Sequence, residues 1–75
     1  MTGQLHEQPK HKHLRIVEVL GEPLIVERLL EIGFAPGEEI KVVGQMLWAG
    51  PLIIQVRGTT VALRQNEARC IQVLT

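Results

Sequence analysis

Three histidines, one cysteine and eight glutamates are the side chains that could do chemistry in this 75-residue chain. His11 and His13 stand two residues apart with His6 nearby, and imidazole is a ligand for Fe(II), Zn(II) and Cu(II). A structural metal site wants about four ligands on a rigid frame. Only Glu7 stands close to these histidines in sequence, so His11 and His13 predict no more than weak binding of a transition metal, Fe(II) or Zn(II), with no cofactor required. Cys70 is the only cysteine, which rules out an intramolecular disulfide and a multi-thiolate site. Followed by Ile71 near the end of the chain, it reads as a buried, inert thiol. A catalytic thiol would need an adjacent base, and every histidine lies before Leu14. The chain has neither Ser nor Asp, so no Ser-His-Asp set exists, and the glutamates are scattered over several elements rather than paired. The expectation is a protein that is not an enzyme.

Composition narrows the partner. Eight Lys and Arg balance eight acids, and a formal charge of zero speaks against a nucleic-acid partner, which asks for a basic surplus on one face. Phe34 and Trp48 are the only aromatic residues, too few for stacking bases or reading Pro-rich peptides. At 45% hydrophobic and 21% charged, the chain is globular rather than disordered. No secretory h-region follows Met1, and the apolar runs fall far short of the roughly 20 residues that span a bilayer. The expected location is therefore cytoplasmic, with no direct membrane insertion.

These residues must be positioned by one small domain. Residues 1–13 are polar, lack apolar periodicity and predict a flexible arm, leaving residues 14–75 as the folded unit. Leu14 to Leu20 predicts a strand of ambiguous faces, because Ile16 opposes both Val17 and Val19. Glu22 to Ile32 predicts the one good helix, with Pro23 in its first turn, an apolar stripe through Ile25, Leu29 and Ile32, and Gly33 as its stop. Pro36-Gly37 predicts a type II turn. Glu39 to Leu47 then alternates as a strand with Ile40, Val42 and Met46 inward, and Gly44 marks a bend or bulge. Trp48-Ala49-Gly50-Pro51 predicts a hairpin loop, and Leu52 to Arg57 the next strand. Gly58-Thr59 predicts a type II′ turn, Thr60 to Arg64 a return strand, Asn66 the cap of one helical turn, and Ile71 to Leu74 a last strand. About five short strands and one inserted helix are too little for a sandwich. The economical fold is mainly β, a small SH3-like barrel, since closure removes exposed edges.

In this frame stand Arg28-Leu29 with Gly33, the Pro36-Gly37 turn, Gly50-Pro51, Gly58, Leu63-Arg64 with Ala68, and Ile71 with Val73. In that order and spacing the chain resembles the FeoA (ferrous iron transport protein A) domain family over roughly residues 14–75. The family usually opens with a Leu-x-x-Leu-x-x-Gly strand that Met1 to His13 does not contain. Either the arm pairs in another way, or a barrel edge stays unpaired and is free to recruit a partner such as a second copy. The resemblance implies a cytoplasmic accessory role in bacterial ferrous iron uptake, exerted by protein–protein contact on ferrous iron transport protein B, a membrane transporter with a cytoplasmic G domain. A chaperone that carries Fe(II) to the transporter is the alternative. Candidate partner-binding residues are Trp48, read either as an exposed hot spot or as a lid on the barrel, and Arg28 and Arg64, which match the family's arginines. A plain surface role would pair those arginines with Glu31 and Glu67.

Overall fold

Alternating apolar residues and tight turns build a single sheet. The computed structural model describes residues 1–46 and 50–75. Along the chain these form β1 (Thr2–Gln4), a 3₁₀ turn (Leu5–Glu7), β2 (His13–Val19), α1 (Pro23–Ile32) and β3 (Glu39–Gln45). There follow β4 (Leu52–Val56), β5 (Thr59–Leu63), α2 (Gln65–Ala68) and β6 (Ile71–Leu74). The strands pair antiparallel in the order β1-β6-β2-β3-β4-β5. Leu63 of β5 and Ile71 and Val73 of β6 lie in one buried cluster with Leu14, Ile40 and Ile54, although β5 and β6 are far apart in strand order. Only a sheet curled round on itself brings both to one core, and that is how a chain this short encloses apolar volume.

The largest departure from the sequence reading is at the N-terminus. Residues 1–13 are not a flexible arm: Thr2, Gly3 and Gln4 pair with Leu74, Val73 and Gln72 of β6. Leu5 is 0% exposed, as deep in the core as Phe34 or Ile54. One apolar residue in a polar stretch carries no periodicity, so only tertiary structure reveals its job. The backbone of β1 does the rest, occupying the edge of β6 that the sequence left open, so the described residues form six strands rather than five. His13, assigned to the arm, is the first residue of β2.

A register shift between Ile16 and Glu18 resolves the ambiguous faces of β2: Leu14 and Ile16 point inward and Val17 is exposed. A second shift falls between Val42 and Gly44, where the glycine had marked a bend. Past it the alternation is broken, and Met46, expected inward, is exposed. α1 begins with Pro23 after Glu22 at the N-cap and ends at Gly33, whose N–H is bonded to the carbonyls of Leu29 and Leu30. Leu29 alone of its residues is fully buried and Ile25 packs half-buried against the core, so the Leu30 and Ile32 part of the apolar stripe is left exposed.

The Pro36-Gly37 turn forms as expected. The Glu38 N–H donates to the Ala35 carbonyl at 3.0 Å and Gly37 has φ 91°, a type II turn that favours glycine at its third position. The β4–β5 hairpin differs by one residue. Val56 pairs with Thr59, so the turn is Arg57-Gly58, with φ values of 52° and 77°. Both central residues are left-handed, which makes the turn type I′ rather than II′, the form whose twist also suits the flanking strands. The helical turn of α2 likewise starts earlier, with Arg64 and not Asn66 at its N-cap.

Candidate functional site

α1 lies across from the end of β5, and the two are tied together by one carboxylate. Glu67 stands at the third position of α2 and reaches back so that its Oε1 accepts the backbone N–H of Arg64 at 2.9 Å. This is the reciprocal half of a capping box, available because Arg64 and Glu67 are three apart at a helix start. The other oxygen, Oε2, forms an ion pair with Nη2 of Arg28 on α1. Glu67 is only 7% exposed, a burial that a charged side chain tolerates when it is both paired and hydrogen-bonded. Arg28 therefore pairs with Glu67, across elements, and not with Glu31 on its own helix. The contact between Arg64 and Glu67 runs through the Arg64 backbone N–H, and the Arg64 side chain is exposed.

This tie floors an open groove of about 730 Å³ between α1 and β5. Ile25, Arg28 and Ile32 line its helical side, with Pro51, Leu63 and Arg64 opposite. Two sequence candidates, Arg28 and Arg64, are thus brought to one place, and apolar surface lies between them. The third, Trp48, lies outside the described residues. Of the described residues on either side, Met46 and Pro51 are bonded to each other, the Met46 N–H donating to the Pro51 carbonyl at 2.9 Å, and the Gly50 carbonyl accepts from Gln65 Nε2 at 3.0 Å.

The histidine pair is distributed differently. His11 is exposed with φ 64°, and its N–H donates to the Val42 carbonyl at 2.6 Å. His13 Nδ1 lies 2.9 Å from Glu39 Oε1, and Arg15 Nη2 lies 3.8 Å from Glu39 Oε2. Among the described residues no three His, Cys, Asp or Glu converge in a group that could hold a metal ion. Cys70 is buried with its thiol 3.5 Å from the Asn66 carbonyl. Sequence reasoning undervalued Glu67, whose signal was its spacing from Arg64. It also missed how far the leucines of α1 are uncovered: Leu24 is 73% exposed and Leu30 is exposed too, as are Val17 and Leu20.

Comparison with known proteins sets this site in context. A family model described as the FeoA domain matches residues 3–74. A crystal structure of an iron uptake regulatory protein, FeoA, is 30% identical with a TM-score of 0.86, covering 99% of this chain and 96% of that one. FeoA from Stenotrophomonas maltophilia, solved in complex with zinc, is 37% identical with a TM-score of 0.81, covering 99% and 89%. It is described as a prokaryotic SH3 domain protein and a candidate ferrous iron transport activating factor. A manganese-dependent transcriptional repressor superposes with a TM-score of 0.88 at 19% identity, this chain spanning 41% of its length, a likeness of fold alone. A search of curated proteins found no match. The curled antiparallel sheet is an SH3-like barrel.

Proposed function

The chain belongs to the FeoA domain family, and from that premise we propose that it is a non-enzymatic accessory protein of bacterial ferrous iron uptake. It acts in the cytoplasm by protein–protein contact on the membrane ferrous iron transporter, ferrous iron transport protein B, through that transporter's cytoplasmic region. The observation that carries this reading is the family match over residues 3–74, nearly the whole chain. The groove between Arg28 and Arg64 supports it, because an open apolar surface flanked by arginines suits a protein partner better than a small substrate. Among the described residues no helix is long and apolar enough to cross a membrane. Binding would favour one conformation of the transporter over another, by as much as the domain's affinity differs between the two.

The test is ferrous iron uptake in cells lacking this chain, complemented either with the wild type or with a variant folded but altered at the groove. The reading expects uptake to change on loss of the chain and to be restored only by the wild type. Unchanged uptake in the deletion strain, with the transporter as sole ferrous route, would refute it.

The carrier reading has one observation in its favour, the zinc complex of the Stenotrophomonas maltophilia relative. In this chain His11 and His13, with Glu39 beside His13, are the donors that a carrier would use. Anaerobic titration with Fe(II) and with Zn(II) decides between the two. Weak binding, lost in the double variant His11→Ala with His13→Ala, is expected. Tight one-to-one binding would put the carrier first.

A further inference from the structure

β5 is the last strand of the sheet, and its register fixes where its outer backbone groups point. Val56 and Thr59 close the two-residue turn and exchange both hydrogen bonds, and pairs then alternate along the hairpin. Thr60 opposite Gln55, and Ala62 opposite Ile53, are therefore the non-bonded pairs. Their N–H and C=O groups are turned away from β4, toward the open edge. Arg64, next in that alternation, is already spoken for: its N–H donates to Glu67 Oε1, and its carbonyl accepts from the N–H groups of Glu67 and Ala68. The open edge is thus a short, defined step, ended by α2 and running into the groove under α1, which Ala62, Leu63 and Arg64 line from the β5 side.

We infer that this edge takes up an extended segment of a protein partner as an added strand, with a carboxylate flanked by apolar side chains on the face turned to α1. This deepens the proposed function and rests on it for the source of the segment, the transporter's cytoplasmic region. The backbone groups of Thr60 and Ala62 give the added strand its register. Side chains at alternate positions of such a strand share one face. One apolar side chain then meets Ile25 and Ile32, and the carboxylate two residues away meets Arg64 and the outer side of Arg28. The groove asks for an acid because its two arginines face one buried carboxylate, Glu67, leaving a surplus positive charge. The edge is not blunted in the usual way, since Thr60 and Ala62 carry neither a charge nor a proline.

The experiment follows backbone amides of the isotopically labelled full chain by NMR as a synthetic heptapeptide is added. The peptide alternates threonine with leucine, glutamate and leucine, and a control carries lysine in place of the glutamate. The transporter's purified cytoplasmic region is the second probe. Protection from exchange is expected at the amides of Thr60 and Ala62 with both the acidic peptide and the transporter region. Affinity should fall about ten-fold for the lysine peptide, and as much for the variants Ala62→Pro and Arg64→Glu. Should Ala62→Pro fail to fold, Arg64→Glu and the exchange pattern still decide. Protection elsewhere, equal affinity for the lysine peptide, or a self-associated chain that already protects both amides would overturn the inference, the last in favour of a second copy. A transporter region that binds but leaves Thr60 and Ala62 unprotected sinks the inference and spares the proposed function. Peptide protection without transporter binding does the opposite.

Discussion

The two ends of the sheet use similar lengths of chain for opposite purposes. At one end β1 is three residues long and is followed at once by Leu5, which is buried without remainder. On its outer edge Gln8 Nε2 donates to the Gln4 carbonyl at 3.2 Å, and on its inner side the pairing with β6 runs on past the strand, the Thr75 N–H donating to the Met1 carbonyl at 2.9 Å. At the other end β5 sends Leu63 into the core but leaves Thr60 and Ala62 facing outward beside a groove. The N-terminal end closes the barrel, and the β5 end leaves a step on which something can sit. Substitutions at the first should cost stability, and substitutions at the second should cost binding.

Leu5→Ala should have the largest effect, a loss of about 2–5 kcal/mol, since it deletes a side chain packed in the core and leaves a cavity. Thermal or denaturant unfolding measures it, and a loss below about 1 kcal/mol would mean that the N-terminal segment is loosely attached after all. Gly37→Val comes next. Nothing lies within 4 Å of a Cβ placed there, so the cost is the strain of φ 91° on a β-branched residue, about 1–3 kcal/mol. An unchanged midpoint would remove the type II turn from the fold's requirements. Glu67→Ala should destabilise by about 1–2 kcal/mol through the lost cap of α2 and the unpaired Arg28, which is exposed enough to be rehydrated. This variant sits where the two roles meet, and it should weaken partner binding as well. Arg64→Glu, at the N-cap of α2 just past β5, keeps the backbone N–H that bonds Glu67 but sets a second carboxylate near it, so stability should fall by about 1 kcal/mol or less while partner binding falls further. Equal losses of stability at both ends would erase the contrast.

Much of the barrel was legible because strands with one buried face alternate. Leu52, Ile54 and Val56 declared their inward face, and Ile71 to Leu74 its strand. Pro36-Gly37 and Gly33 declared a turn and a helix end through conformations that few residues adopt cheaply. What stayed hidden depended on single residues or on long-range partners. Leu5 is one apolar side chain among polar ones, and the pairing of β1 with β6 joins the two ends of the chain. The turn at Arg57-Gly58 was displaced by one residue because arginine is an unusual occupant of a left-handed position. Of the site, Arg28 and Arg64 were found through the family's pattern, but their shared anchor Glu67 was assigned only to Arg64. Its true partner on α1 lies 39 positions away in sequence (67 − 28) and needs the fold to reach it. Trp48, which the sequence reading places in a hairpin loop, lies outside the described residues.

The central claim is that this domain works by binding the transporter at the β5 end. Calorimetric titration of the full chain into the purified cytoplasmic region of the ferrous iron transporter tests it most directly, with wild type, Ala62→Pro and Leu5→Val run side by side. The account predicts a saturable one-to-one isotherm for wild type and for folded Leu5→Val. It predicts an affinity about ten-fold weaker for Ala62→Pro, whose edge position tolerates proline in the fold. No heat of binding with the wild type, or equal affinity in a folded Ala62→Pro, would contradict it.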